Sequence, residues 1–234
     1  MEKKCCYCGV SLNKVTETKD HIPAKNLYEG LAEEYKNNLI TVKCCNNCNN
    51  KYSRIDSTLR DVIGALYENQ PNIKPLAEKT IKSITRNKNW VTRVTFDKLM
   101  KKARIKFNSE DLRLIQEKHF KALFCRHFNV PTFPSNFLIK VFMCADTDLK
   151  EALRFAELVD SIMIQLNIDW EISGHEDIFK YRIVDIQSDD KNIMSKPSKN
   201  VQTARYFMAS FIYHKEFDAY IVAGKREVMD QLEH

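Results

Sequence analysis

The spacing of apolar positions changes character twice along the chain. The first sixty or so residues show little apolar periodicity and are rich in Cys, Asn and Lys. Apolar residues then recur at helical spacing through Ile55, Leu59, Val62, Ile63 and Leu66, which predicts an amphipathic helix that Pro71 closes. Pro75 stands near the first-turn position of a second helix, with Leu76, Thr80, Ile81 and Ile84 inward and Lys79, Lys82 and Arg86 outward. Ser109 is the expected N-cap of a third helix running through Leu112, Ile115, His119 and Leu123, and the prolines at 131 and 134 end it.

From Asn136 the texture shifts to shorter apolar runs. A strand is expected over 137–144. Asp148 and Glu151 then resemble a capping box opening a helix whose apolar face holds Leu149, Ala152, Leu153, Ala156, Val159, Ile162, Met163 and Leu166. Further strands are expected over Phe179–Ile186, Tyr206–Tyr213 and 217–222, with His214-Lys215-Glu216 short enough to make a hairpin of the last two. Residues 187–200, with Asp189-Asp190, read as a polar loop. The fold class is therefore α+β, in three regions: 1–66, a helical basic region over 67–135, and a small α+β domain with antiparallel strands over 136–234. A chain of 234 residues has room for one core or two.

Charge sharpens this division. Net charge is +6 overall, but residues 61–106 carry 11 Lys+Arg against 4 Asp+Glu, while 107–234 carry 16 against 20. Within 74–106 only Glu78 and Asp97 oppose eleven cations, among them Lys79, Lys82, Arg86, Lys98, Lys101 and Lys102. A stripe of this kind suits a polyanion and would grip a nucleic-acid backbone without reading its sequence, although a solvated helix face would look the same. Trp90 could stack on a base, though core burial is the commoner role for tryptophan. The expected partner is DNA, with RNA an open alternative. No apolar run is long enough to span a bilayer and no signal peptide follows Met1, so a cytoplasmic protein that does not enter membranes is expected.

Of eight cysteines, six fall within the first 48 residues. In a reducing compartment such crowding points to metal rather than disulfides. Cys5 and Cys8 form one Cys-x-x-Cys pair and Cys45 and Cys48 another, and two such turns can complete a tetrahedron of thiolates around structural Zn2+. Cys6 and Cys44 lie beside the two pairs and are competing ligands. Cys125 and Cys144 stand alone among apolar neighbours, as buried small hydrophobes do.

Between the pairs lie Asp20-His21-Ile22-Pro23 and Asn38-Leu39, and Asn49 follows Cys48 directly. This order of elements resembles the HNH endonuclease family over about residues 5–60. The resemblance implies a zinc-stapled ββα-metal module that hydrolyses phosphodiester bonds. It assigns His21 as general base, Asp20 and Asn49 as ligands of a catalytic Mg2+ or Mn2+, and Asn38 as the residue that steadies the connecting loop. The chemistry fits these residue types. A neutral imidazole can take a water proton near pH 7, and one divalent cation on a carboxylate and an amide oxygen can neutralise phosphate and leaving oxygen together. Adjacent strand residues point to opposite faces, so Asp20 and His21 reach one phosphate only if the chain bends there. Asn49 replaces the family's final histidine, Asn50 competes with it, and the loop has Gly30 where the family often has a glycine pair.

His119, His127, His175 and His214 have no companion motif and are expected to be structural or at the surface. Residues 136–234 carry no motif for chemistry. They are expected to set specificity, form a homo-oligomer or bind a regulatory partner, by analogy with restriction and phage-defence nucleases. The competing readings are a zinc-stapled nucleic-acid-binding module with an idle site, or a regulatory protein whose function lies in the second half. On a modular view, deleting that half would tell these apart.

Overall fold

The computed structural model describes residues 3–67, 71, 73–86, 94–97, 102–105, 107–143, 149–187 and 199–230. Its first element is an antiparallel hairpin of β1 (Glu17–Ile22) and β2 (Ile40–Cys45), with Glu17 opposite Cys45 and Ile22 opposite Ile40. Strand alternation buries Asp20 and Ile22 on one face of β1 and leaves His21 half-buried on the other. The connection contains two 3₁₀ turns, Lys25–Tyr28 and Glu33–Lys36, the first burying Leu27 and Tyr28.

Helix α1 (Asn46–Leu66) follows β2 with no loop, because Cys45 is its N-cap and accepts from the Cys48 amide through sulfur at 3.5 Å. Cys48 and the apolar run from Ile55 thus lie on one helix of 21 residues. Helix α2 (Lys74–Arg86) packs on α1. Gly64 permits the close approach, since a Cβ there would collide with the Thr80 hydroxyl and lie 3.0 Å from the Leu76 carbonyl oxygen. Asp61 ties the pair, accepting from Arg60 at 2.7 Å, Ser83 at 3.3 Å and Thr80 at 3.4 Å. Leu76, Ala77 and Thr80 are buried, but Ile81 is 55% exposed, being one residue and about 100° round the helix from Thr80. Leu66, at the last turn of α1, is also exposed.

The middle region is not wholly helical. Two short strands, β3 (Val94–Asp97) and β4 (Lys102–Ile105), pair antiparallel within it. Val94-Thr95-Phe96 is a β-branched and aromatic run, which favours strand locally. Trp90, Lys98 and Lys101 lie outside the described residues, as does the side chain of Lys102.

Helix α3 (Ser109–His127) is capped by Asn108 and not by the expected Ser109, which is its first residue; the Asn108 side chain accepts from the Glu110 amide at 3.2 Å. It buries most of its circumference, including Leu112, Ile115, Gln116, Lys118, His119, Phe120 and Leu123, and leaves Arg113 and Arg126 exposed. On one side it meets α1 and the hairpin. On the other lies a five-stranded antiparallel sheet of β5 (Phe137–Met143), β6 (Glu171–Ile172), β7 (Phe179–Ile186), β8 (Tyr206–Tyr213) and β9 (Phe217–Lys225), in the order β5-β9-β8-β7-β6. The turn at 214–216 is the expected hairpin, with His214 and Lys215 both at positive φ.

The sheet's faces separate by parity. Phe179, Tyr181, Ile183, Phe207, Phe211, Tyr213, Phe217 and Ile221 face α3, whereas Val184, Ile186 and Met208 face α4 (Leu149–Gln165) through Val159, Ile162 and Met163. Leu153, expected on that apolar face, is 52% exposed. A four-residue helix, α5 (Arg226–Met229), follows β9. One hydrophobic cluster contains Ile22 and Ile40 of the hairpin, Leu59 and Ile63 of α1, Ile115 and Phe124 of α3, and Phe207 and Phe217 of the sheet. The three compositional regions therefore share a core. No helix among the described residues is long and apolar enough to cross a membrane.

Candidate functional site

The cysteine pairs meet. Cys5 to Gly9 form a tight turn in which the Gly9 amide donates to the Cys5 carbonyl at 2.9 Å, and Gly9 sits at φ +73°, the left-handed region that a glycine enters without strain. Cys45 closes β2 and Cys48 lies in the first turn of α1. The four sulfurs of Cys5, Cys8, Cys45 and Cys48 all lie within 4.8 Å of one another, with Cys8 and Cys45 at 3.8 Å. Tetrahedral zinc with Zn–S near 2.3 Å puts its sulfurs about 3.8 Å apart, so this set can hold a metal ion such as zinc. Neither competing ligand joins this set, although Cys44 packs beside Cys5 and Cys45. Cys6 belongs to the main core, its carbonyl accepting from the Cys125 thiol at 3.6 Å. Cys44 is fully buried, and that burial pushes its thiol up to about 12. Cys125 is buried as expected, and Cys144 lies outside the described residues.

Asp20 is 6% exposed and faces the interior. Its Oδ2 accepts from the Tyr7 hydroxyl at 2.6 Å and pairs with Lys118 Nζ at 3.1 Å. The Lys118 ammonium also donates to both Asp56 oxygens at 2.9 Å. It thus meets three carboxylate oxygens. Lys118 is 0% exposed, and one cation stands between two buried carboxylates. Burial pushes the Asp56 carboxyl up, against the pull of Lys118. Tyr7 sits between Cys6 and Cys8, so the turn that holds Cys5 and Cys8 also carries the hydroxyl that meets Asp20.

His21 lies on the opposite strand face. It lines an open cleft of about 440 Å³ with Lys25, Glu33, Lys36, Asn37, Asn38 and Leu39. Asn38 holds φ +60° at the end of the loop, which Asn tolerates better than most residues. Burial, with the charge of Lys25 second, lowers the His21 pKa, so its imidazole is neutral at pH 7. Lys36 is paired with Glu33 at 2.5 Å. Asn49 is on the Asp20 side, its amide reaching Thr18 Oγ1 at 3.5 Å, and Thr18 shares the strand face of Asp20. Asn50 is exposed on α1. The ladder runs regularly through Ile22, so the bend at Pro23 comes after both Asp20 and His21. The structure thus brings His21 and Asn38 to one cleft, while Asp20 lies on the other strand face with Tyr7 and Lys118, and Asn49 contacts Thr18 on that face.

Of the basic residues, Lys79 is bound to Glu29 at 2.7 Å, beside Arg60, which reaches the same carboxylate at 3.4 Å. Lys82 and Arg86 are exposed on α2. His119 and His214 are wholly buried. His119 Nδ1 meets the Tyr213 hydroxyl at 2.6 Å, and His214 Nε2 meets the Leu27 carbonyl at 3.2 Å. His127 pairs with Glu171 at 3.1 Å and His175 stacks on Tyr35 at 4.1 Å, so all four have structural partners.

Comparison with protein-family models, with curated proteins and with solved structures finds no match to this chain. Sequence reasoning missed Tyr7, Asp56, Lys118 and Ser173. One signal was available: Asp56 falls within the apolar stripe of α1 between Tyr52 and Leu59, and a buried carboxylate requires a cation.

Proposed function

We propose that the protein is a metal-dependent phosphodiesterase of the HNH type acting on DNA. The observation that carries this reading is the cleft shared by His21 and Asn38, open to solvent and bordered by Lys25 and Lys36, at the end of a hairpin stapled by four cysteines. A phosphate entering it meets Lys25, Lys36 in its pair with Glu33, and a neutral imidazole that can accept a proton from water. Asp20 and Asn49, the expected ligands of Mg2+ or Mn2+, face the other side of the strand, so a cation held by them would serve a phosphate at His21 only after Asp20 leaves Lys118 and the strand end bends. Lys82 and Arg86 of α2 extend a basic surface that suits the backbone of a polyanion.

A second reading is favoured by one specific contact. Lys118 already satisfies Asp20, as a tethered cation in the place a metal would take, and a site so filled would bind nucleic acid without cutting it. A plasmid-nicking assay with Mg2+ or Mn2+ separates the two. Nicking by the wild type that His21→Ala abolishes is expected. Equal nicking by both would remove His21 from the mechanism, and DNA binding without nicking would establish the idle site.

A further inference from the structure

The segment Ser173-Gly174-His175, which leads from β6 into β7, reaches across the molecule and plugs the loop between β1 and β2. Ser173 is fully buried. Its hydroxyl accepts the Ile40 amide at 2.8 Å and donates to the Ile22 carbonyl, so a single oxygen bridges the last rung of the hairpin. The Ser173 carbonyl accepts from the Tyr28 hydroxyl at 2.7 Å. Gly174, at φ +76°, fits with no room to spare: a Cβ there would lie 2.8 Å from both the Tyr28 hydroxyl and the Tyr35 carbonyl oxygen, and 2.9 Å from Leu39 Cδ2. His175 stacks on Tyr35 at 4.1 Å. The residue before Ile22 is His21, and the two before Ile40 are Asn38 and Leu39. The spacing between the two strand ends that carry His21 and Asn38 is therefore set from the C-terminal sheet.

We propose that Ser173 is a positioning residue for the His21–Asn38 cleft, fixing the separation of the strand ends across which a phosphodiester is held. This rests on reading that cleft as the cleavage site. The role of 173–175 was invisible in sequence, because the contacts join positions more than 130 residues apart.

The test compares full-length wild type, Ser173→Ala and Ser173→Thr, each with its zinc content measured, on a short DNA duplex with Mn2+. Amide exchange is followed in parallel by NMR. Ser173→Ala is expected to keep its zinc, to lose about ten-fold or more in kcat, and to hold KM within about two-fold. Ser173→Thr keeps the hydroxyl and is expected to recover kcat. Exchange should accelerate at Ile40 and its neighbours and not in β8 or β9. Unchanged kcat in Ser173→Ala, or equal loss in both variants, overturns the role of the hydroxyl. A wild type that cuts no DNA defeats the nuclease reading instead. The bridge is then judged by exchange alone, where acceleration confined to the strand ends supports it and an unaltered Ile40 overturns it.

Discussion

At the scale of single residues, the molecule's buried charges are its most informative feature. Lys118 is enclosed with Asp20 and Asp56, and a buried cation persists because opposite charges and hydrogen bonds offset its desolvation. Removing the cation would leave two carboxylates facing each other in a low-dielectric interior. Lys118→Met is expected to cost about 3–5 kcal/mol of stability, read from denaturant melts. A change below about 1 kcal/mol would show that the carboxylates are solvated. A second group makes a pH prediction. Burial, with Asp160 nearby second, pushes the Asp218 carboxyl up to about 6 from an ordinary 3.8. A carboxyl raised in the folded state contributes its stability below the unfolded pKa and loses it as pH rises through the folded one. Asp218→Asn should therefore melt higher than wild type near pH 7, by on the order of 2 °C, with the difference shrinking towards about pH 4. A difference that is constant across this range would refute the assignment.

At the scale of elements, the turn at 5–9, the hairpin and α1 form one mechanical unit. Cys5 and Cys8 hold the turn that carries Tyr7, Cys45 ends β2, and Cys48 begins α1. Stripping metal should therefore free Tyr7 from Asp20 as well as fray the start of α1. Chelation is expected to lower Tm and to speed amide exchange in β1 and the first turn of α1, while β7 to β9 stay protected. Uniform loss of protection would mean that the metal supports the whole fold directly. The same elements show what was legible in sequence and what was not. The paired cysteines declared the four sulfurs, since their spacing alone limits the geometry. Helices and strands with strong periodicity, such as Phe179–Ile186 and Tyr206–Tyr213, appear where the pattern put them. The β3–β4 hairpin was hidden because its strands are four residues each within a lysine-rich stretch, too short for period to declare itself. The faces of Asp20 and His21 were foreseeable from strand alternation. The partners on each face were not, because Lys118 and Ser173 arrive from distant helix and loop.

At the scale of the whole molecule, the question is whether the first and last halves can be parted. The ring of Phe124 in α3 lies 4.8 Å from that of Phe207 in β8, and Phe128 lies 5.0 Å from the same ring. Phe179, Phe211, Tyr213 and Phe217 complete the same cluster, which extends without a break to Ile22 and Ile40 under the hairpin. Each large apolar side chain returned to water costs roughly 1.5–3 kcal/mol. Exposing half a dozen on α3 alone would match the roughly 5–15 kcal/mol by which a domain is stable. Losing Ser173 and His214 would also strip partners from Ile22, Leu27, Tyr28 and Ile40. A fragment ending at residue 135 is therefore expected to be insoluble or to lack a cooperative melt, with zinc bound weakly or not at all. Its failure to cut DNA would carry no information about where the chemistry lies. A soluble fragment with a sharp melt and full zinc would show that α3 buries its aromatic face without the sheet. Point substitutions in the intact chain, at His21, Lys118 and Ser173, are the changes that can locate the function without dismantling the core it depends on.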